Sequence, residues 1–424
     1  MRAIHKIAVA GAAVVAFVGI GMSTARADAP YTPPLTDLVG VGSDTITPLW
    51  AGSPSENFAG SLSYDYNLSI TAPPKVWSMD AVNPVTGASG DTVTTKAANS
   101  TDTSCQMARP NGSSAGIAAM NLNQLSSDGT DFCIDFARSS RAPNTTTFND
   151  AFAPLAHDAI AWTKPLPAGE TNPQPSTLTL AQLRSIYSCT VTNWNQVGGA
   201  NAPIVPVMPQ AGSGTRATWT TIMGVATNPG CWIDGTDPLM SSAPVIEENT
   251  GGSPGNHDLF THTGTFDWPL GQTTTTAVSA DIIFPYSIGD WVAQANPTTG
   301  TGTGVNGATV GGHSSSIWFH GVMHLGNTGG VVPTNKNSFG QLQINPFFPS
   351  QFGRTLYDVV RNGTANPTGP TTVSFPTTPA NEANMQSIFG PTGFLCTSTT
   401  AQSDIISYGF GLLGSGCGVL TAGD

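Results

Sequence analysis

Charged side chains are scarce in this chain of 424 residues. Only 9% of the residues are Asp, Glu, Lys or Arg, and 14 Lys and Arg stand against 26 Asp and Glu, for a formal net charge of −12. A surface so poor in positive charge excludes nucleic acid and anionic membranes as plausible partners, because both are bound through clustered Lys and Arg. The hydrophobic fraction of 39% excludes an intrinsically disordered chain.

Long apolar runs are also lacking. The longest, Ile7–Met22, is shorter than the ~20 residues of a membrane span; it follows a basic start and precedes the small-x-small site Ala25–Ala27. This pattern predicts a signal peptide over 1–27, a mature start at Asp28 and a secreted protein with no membrane span. Since no cysteine precedes Cys105, we expect no lipid-anchor cysteine.

The cysteines are few and none has the C-x-x-C spacing of a zinc or redox site. Six are present, an even number that indicates disulfides in an exported chain. Pairing nearest neighbours, so that each bond closes a short segment, is one of 15 connectivities. It predicts the bonds Cys105–Cys133, Cys189–Cys231 and Cys396–Cys417.

Apolar runs alternate between extended and helical patterns, which predicts an α/β fold. About 400 mature residues correspond to two or three domains at the usual ~100–200 residues each. We predict strands at Leu38–Val41, Phe132–Ala137, Phe152–Trp162, Ile204–Met208 and Ala280–Gly289. We predict helices at Ile117–Met120, at Leu180–Tyr187 with Thr179 as its cap, at Phe347–Val360 and at Asn384–Phe389. Residues 296–316, rich in Thr and Gly, predict a long loop or insertion.

Small polar residues follow several of the extended runs directly. The four segments are Gly42–Thr45, Gly112–Gly116, Arg138–Arg141 and Gly212–Thr215. The amides of a helix N-terminus and the positive end of its dipole attract anions, and Ser and Thr hydroxyls add hydrogen-bond donors. A single Gly-Ser-Gly-Thr is better explained as a plain helix cap through Ser213 or Thr215, so the argument for an anion site rests on the set.

The set of turns resembles the phosphate-binding proteins that serve phosphate ABC transporters. The resemblance covers roughly residues 36–295. Its most specific part is Leu183-x-x-Ile186-Tyr187 and Asn193-Trp194, followed by the strand Ile204–Met208 and then Gly212–Thr215. It implies a two-lobed, periplasmic-binding-protein-like fold with an anion in the cleft between the lobes, no catalysis and no cofactor.

The resemblance also implies a division of the chain and a set of partners. The first part of lobe I would span 28–155 and lobe II 156–284. Residues 285–424 would return to lobe I and carry the Thr/Gly-rich insertion and a C-terminal extension. The expected partners are inorganic phosphate or a related oxyanion and an ABC transporter permease.

The ligand contacts implied by the resemblance lie in the four turns. The family positions are matched by Asp44, Thr45, Ser113, Ser213, Gly214 and Thr215, and the candidate set is completed by Ser114, Ser139, Ser140, Arg141 and Arg216. At Asp44 the family commonly offers a hydroxyl and amides, so this carboxylate could instead cap the helix while its amides face the cleft.

Two further departures from the family also concern charge. Ser140 stands where the family has an aspartate, and Pro209 where it has an arginine. A carboxylate rejects fully deprotonated sulfate, so its loss predicts weaker selection of phosphate over sulfate. Arg138, Arg141 or Arg216 could supply the missing positive charge.

Other functions remain open from the sequence alone. Gly112–Gly116 fits G-x-S-x-G, the elbow of serine hydrolases with Ser114 as nucleophile, although no apolar strand precedes it. His320 and His324 are four residues apart but lack the glutamate of a zinc protease motif, so no metal site is predicted. A secreted surface or adhesion module that keeps the fold without binding phosphate is the remaining alternative.

Overall fold

The computed structural model describes residues 28–51, 60–83, 90–167, 173–233, 263–266, 275–278, 281–295, 321–338 and 340–424. The predicted signal peptide, the insertion at 296–316 and His320 lie outside these residues.

The strands in chain order are β1 (Leu38–Gly42), β2 (Val76–Ser78), β3 (Thr92–Thr94), β4 (Gln106–Ala108), β5 (Phe136–Ser139), β6 (Asp150–Pro167), β7 (Thr177–Leu178), β8 (Val205–Pro206), β9 (Thr263–Phe266), β10 (Thr275–Val278), β11 (Ile282–Ser287), β12 (Gly321–Leu325), β13 (Asn327–Thr328), β14 (Thr334–Lys336), β15 (Leu342–Ile344), β16 (Gly353–Arg361) and β17 (Thr421–Gly423).

The α-helices of the described residues are mostly short. They are α1 (Thr47–Ala51), α2 (Leu62–Ser69), α3 (Ser113–Asn121), α4 (Leu180–Tyr187), α5 (Gly214–Met223), α6 (Ile288–Ala295), α7 (Met385–Phe389), α8 (Phe394–Thr397) and α9 (Thr399–Ser407). No helix in these parts of the chain is long and apolar enough to cross a membrane.

One mixed sheet connects the main elements. Its strand order is β2-β1-β5-β16-β6-β11-β8, and β12 and β17 also pair with β6. β1 runs parallel to β2 and β5, whereas β16 runs antiparallel to both β5 and β6. The parallel strands β1 and β5 therefore end at the same edge, and the predicted turns after them meet there.

The long strand β6 links the two halves of the molecule. Its first part pairs with β16 and β17, and its last part with β11 and β12. Ala153 and Leu155 pack in a core with Phe136 and Leu356, whereas Trp162 packs in another core. The same strand thus crosses from one hydrophobic core to the other.

Separate cores define two lobes. The first lobe has its core around Phe136, with a satellite cluster around Val39 on the other face of the sheet. The second lobe has its core around Trp162 and Trp219, and side chains as far along the chain as Phe352 pack in it. The lobe boundaries drawn from the sequence, near 155 and 284, stay predictions.

The predictions that rest on residues close together in the sequence agree best with the structure. Helix α4 has the predicted bounds, because the Thr179 hydroxyl accepts from the amide of Gln182 and the Gln182 side chain accepts from the amide of Thr179 in return. The disulfides Cys105–Cys133, Cys189–Cys231 and Cys396–Cys417 are present. They are the pairs that nearest-neighbour spacing favours.

The predicted helix at Phe347–Val360 is wrong. Ser350–Phe352 forms a short 3-10 turn, and residues 353–360 belong to strand β16. Its side chains alternate between buried and half-buried from Gly353 to Leu356, which is the period of a strand. Pairing with β5 and β6, both distant in sequence, decides the conformation of this segment.

A buried ion pair joins the starts of β1 and β5, at the opposite ends of these strands from the turns. Lys96 Nζ lies 2.7 Å from Asp135 Oδ2, and neither side chain is exposed. The same Asp135 oxygen accepts a hydrogen bond of 2.7 Å from the amide of Val39. The carboxylate therefore joins β1 to the start of β5.

Replacing Lys96 tests this anchor. Lys96→Met would leave the Asp135 carboxylate buried without its cation, and removing one partner of such a pair costs about 3–5 kcal/mol. We expect a loss of that size in the free energy of unfolding, measured by urea titration. Lys336→Met, at an exposed position, is the matched control and should change stability little. Equal stabilities would show that Lys96 does not anchor the starts of β1 and β5.

Candidate functional site

Four turns from both lobes converge on one place. The first loop (Gly42–Thr45) follows β1, the second loop (Gly112–Gly116) begins α3, the third loop (Arg138–Arg141) ends β5 and the fourth loop (Gly212–Thr215) begins α5. The first three belong to the first lobe, and the fourth precedes the helix whose Trp219 packs in the second core. The meeting place therefore spans the two lobes.

The hydroxyl of Ser140 is the centre of the cluster. Its oxygen accepts from Ser43 Oγ at 3.0 Å and from Thr45 Oγ1 at 3.5 Å, and it lies 3.3 Å from Ser113 Oγ. The amide of Ser140 also donates to Ser113 Oγ at 3.0 Å. Hydroxyls of the first, second and third loops thus share one buried point.

The fourth loop joins this cluster through Thr215. Its Oγ1 lies 3.4 Å from Thr45 Oγ1, and Thr215 is fully buried. The amide of Ser114 donates to the carbonyl of Gly212 at 3.1 Å, so the second and fourth loops also touch through their backbones. Thr45, Ser113, Ser140 and Thr215, all candidates from the sequence, are brought together.

Glycine is required at two of these contacts. Gly112 has φ of +92°, and a Cβ there would overlap the Gly212 carbonyl. A Cβ on Gly214 would overlap Ser140 Oγ and Ser113 Oγ. The close approach of the loops therefore depends on the missing side chains.

Arg354 supplies positive charge that the sequence analysis did not find. Its Nη1 donates to Thr215 Oγ1 at 2.9 Å and to the carbonyl of Ser140 at 3.2 Å. Its Nε and Nη2 both contact Asp158 Oδ2, at 2.8 and 2.7 Å. Because Arg354 lies on β16, in the segment predicted as a helix, only the structure shows that it faces the loops.

Asp44 lies in the first loop, between Ser43 and Thr45. It is 3% exposed, and its Oδ1 has no hydrogen-bond partner among the described residues. Burial raises the pKa of Asp44 above its ordinary value, whereas the amides of Thr45 and Asp44 and the cations Arg354 and Arg138 act in the opposite direction.

The three arginines proposed from the sequence make other contacts. Arg138 is fully buried; it donates to the carbonyl of Ser43 at 3.1 Å and to Thr47 Oγ1 at 2.8 Å, and it also contacts Ser78 Oγ. Burial lowers the pKa of Arg138 to about 10, so the side chain stays cationic at neutral pH. It contacts the first loop through its hydrogen bond to the carbonyl of Ser43.

Arg141 and Arg216 donate hydrogen bonds to groups beside the cluster. Arg141 binds the Asp424 carboxylate through Nη1 and Nη2, at 3.0 and 3.1 Å, and its Nε donates to Ser114 Oγ at 2.9 Å. Arg216 Nη1 donates to the carbonyl of Pro209 at 3.0 Å.

Two further candidate serines have local roles in the structure. Ser213 caps α5, since its hydroxyl accepts from the amide of Arg216 at 3.3 Å. Ser139 closes a turn by donating to the carbonyl of Arg141 at 2.9 Å. A contact of either residue with a ligand stays a prediction.

A match to a known family accompanies this geometry. The profile described as PBP superfamily domain matches residues 82–368, more than half of the chain. The chain belongs to this PBP superfamily. The predicted α/β, two-lobed, periplasmic-binding-protein-like fold is confirmed. The prediction that the chain is a divergent member of the binding-protein family is confirmed as well.

Solved structures similar to this PBP-superfamily chain share little sequence with it. An ABC-type phosphate transport receptor from Vibrio cholerae is 16% identical, with 89% of this chain and 100% of that chain covered and a TM-score of 0.43. A putative phosphate ABC transporter substrate-binding protein with bound phosphate from Clostridium perfringens is 14% identical, with coverages of 89% and 99% and a TM-score of 0.43. A phosphate-binding protein from Stenotrophomonas maltophilia is 15% identical, with coverages of 90% and 91% and a TM-score of 0.42.

The prediction of a binding protein rather than an enzyme agrees with membership of the superfamily. Ser114, the nucleophile of the hydrolase alternative, lies in the first turn of α3 and accepts from an arginine, not from a histidine. In the part of the chain that the structure describes, no group of three or more His, Cys, Asp or Glu could hold a metal ion.

The contact at Gly214 gives a test of the site's packing. Gly214→Ala would push a methyl group against Ser140 and Ser113, and overpacking of this kind costs about 1–3 kcal/mol. We expect that loss in the free energy of unfolding by urea titration. Gly369→Ala is the control, because a Cβ there meets open space. Unfolding of Gly214→Ala at the wild-type urea concentration would mean that the loops do not meet as described.

Proposed function

We propose that this PBP-superfamily chain is a secreted solute-binding protein that holds inorganic phosphate or a related oxyanion where the four loops meet. The observation that carries the proposal is the convergence of Thr45, Ser113, Ser140 and Thr215 on one buried point, with Arg354 donating into it. An oxyanion needs several donors fixed in space, and buried hydroxyls and a guanidinium are such donors.

The position of the loops at helix starts supports the same conclusion. α3 begins at Ser113 and α5 at Gly214, both inside the cluster. These helices have nine and ten residues, so the positive ends of two developed dipoles face one place. Their field attracts an anion although the net charge of the chain is −12.

Closure of the lobes would be the functional motion. Three loops come from the first lobe and one from the second, and β6 runs through both. A ligand that bonds to Thr45 on one side and Thr215 on the other would favour the closed arrangement by its contacts to both. The closed form would then deliver the anion to an ABC transporter permease, which is the partner we propose.

Calorimetric titration tests the proposal. The mature chain from Asp28, unfolded and refolded with its disulfides intact to remove any bound anion, is titrated with phosphate and then with sulfate. We expect a dissociation constant of about 1 μM or tighter for phosphate, near −8 kcal/mol. Heat with neither anion, and no thermal stabilisation, would contradict anion binding and favour the surface or adhesion alternative.

A variant at Thr215 tests the site itself. Thr215→Val keeps the shape of the side chain but removes the hydroxyl that joins the fourth loop to the first. Because hydrogen bonds to charged groups contribute about 1.5–3 kcal/mol, we expect phosphate affinity to fall about tenfold or more in the same titration. The control is Thr221→Val, which removes an exposed hydroxyl from the same helix. If both variants bind like the wild type, the anion does not contact Thr215.

A further inference from the structure

A groove of about 580 Å³ lies on the face of β6 opposite the hydroxyl cluster. Its floor contains His157 and Ala159, and the His157 side chain is exposed. Neighbouring side chains of a strand point to opposite faces, and Asp158, between these two residues, binds Arg354 at the cluster. The groove is therefore separate from the proposed anion site, and its volume falls within the roughly 300–1,000 Å³ of small-molecule sites.

The two walls of the groove come from the two lobes. The hairpin wall consists of β14, β15 and the chain that follows them, where Ile344 and Phe348 pack in or against the core of the second lobe. The C-terminal wall is the chain from Ile406 to Leu412, where Phe410 packs in the core of the first lobe. A ligand between these walls would contact both lobes, behind the strand that crosses from one to the other.

Hydrogen bonds hold both walls in place. The amide of His157 donates to the carbonyl of Gly411 at 2.7 Å, and the amide of Gly411 donates to the carbonyl of His157 at 2.8 Å. In the hairpin wall, Asn345 Nδ2 donates to the carbonyl of Val332 at 2.9 Å, and the amide of Phe347 donates to Asn345 Oδ1 at 3.0 Å. The groove is thus formed before any ligand enters, as small-molecule sites usually are.

The two walls differ in chemistry. Amide side chains line the hairpin wall, at Asn337, Gln341 and Gln343. Apolar side chains line the C-terminal wall, at Ile406, Phe410 and Leu412. No Asp, Glu, Lys or Arg is among the described residues that line the groove, so a charged ligand would lose water without meeting an opposite charge. The lining therefore favours an uncharged ligand.

A sugar ring matches both walls at once. It carries hydroxyls along its rim and C–H groups on its faces. A single Asn or Gln amide offers two donors and one acceptor oxygen, so it can bind two neighbouring hydroxyls, and the C–H face can pack on apolar side chains. A wholly apolar ligand would cover the amides without giving them hydrogen bonds, which costs ~1–3 kcal/mol for each group left unsatisfied.

We propose that the groove behind β6 is a second binding site, which takes a small neutral saccharide. The rim hydroxyls of the sugar bind the amides of the hairpin wall, and its C–H face packs on the chain from Ile406 to Leu412. This inference goes beyond the proposed function, because the groove shares no residue with the hydroxyl cluster. The phosphate titration therefore decides the anion site independently of this one.

Nuclear magnetic resonance with neutral disaccharides provides the first test. The mature chain from Asp28 is titrated with maltose, cellobiose and trehalose, and saturation transfer to each sugar and the imidazole signals of the protein are recorded. The His157 signal is assigned by its absence from the spectrum of His157→Gln. We expect at least one of the sugars to bind with a dissociation constant of ~1 mM or tighter and to shift the His157 signal. No transfer to any of them at ~10 mM, or transfer with an unshifted His157 signal, would overturn the proposal.

Variants of exposed residues test each wall without disturbing a core. Leu412→Arg puts a charge on the C-terminal wall and should weaken the bound sugar at least about tenfold, whereas Leu68→Arg, an exposed leucine on α2, should bind like the wild type. Gln341→Ala removes an amide from the hairpin wall and should weaken it about threefold or more; Gln106→Ala, on β4, is its control. Thermal unfolding checks that each variant is folded. Unchanged affinity in folded Leu412→Arg and Gln341→Ala would place the sugar elsewhere.

Two further probes test the chemical class of the ligand. Glucuronate has a sugar ring with a negative charge, and indole is an apolar ring. We expect glucuronate to bind at least about tenfold more weakly than the best neutral sugar, because the groove offers no cation. If indole binds, Leu412→Arg abolishes its binding and no saccharide binds, the groove is an apolar site and the saccharide assignment is wrong.

Discussion

The buried ion pair between Asp158 and Arg354 is the interaction on which the site depends. The two residues are direct neighbours on β6 and β16, the strands that carry the sheet from one lobe to the other. A buried pair is stable only when its remaining hydrogen-bonding groups are satisfied. Here the Ser287 hydroxyl and the Gly289 amide donate hydrogen bonds to Asp158. The carbonyl of Ser140 and the hydroxyl of Thr215 accept hydrogen bonds from Arg354. The pair therefore connects strands β6 and β16 to the start of α6 and to the third and fourth loops.

The proposed anion site lies in an acidic chain. Without the three basic residues of its predicted signal peptide, the chain has 11 Lys and Arg against 26 Asp and Glu, a net charge of about −15. Long-range attraction of anions is thus absent, and binding must rest on short-range donors. Hydroxyls from all four loops and one guanidinium meet this need, because burial strengthens each hydrogen bond while adding little net charge.

The sequence predicts the loops well because their signals are local. A small-residue turn before a helix is decided by neighbouring residues, as the cap at Ser213 and the capping box at Thr179 show. Arg354 could not be found in this way. Its segment contains aromatic residues at spacings that also fit a helix, and its strand conformation comes from pairing with β6, 196 residues away at Asp158. Long-range pairing overrides local pattern here.

The third loop shows why the sequence alone could not tell which arginine donates into the hydroxyl cluster. Arg138 and Arg141 flank Ser140, yet Arg138 turns to Ser43 and Thr47 and Arg141 to Ser114 and Asp424. The Ser140 hydroxyl accepts from Ser43 and Thr45 and lies within hydrogen-bond distance of Ser113 Oγ, so one hydroxyl contacts two other loops at once. A carboxylate at that position could only accept. A serine at position 140 therefore suits a point where hydroxyls from three loops meet.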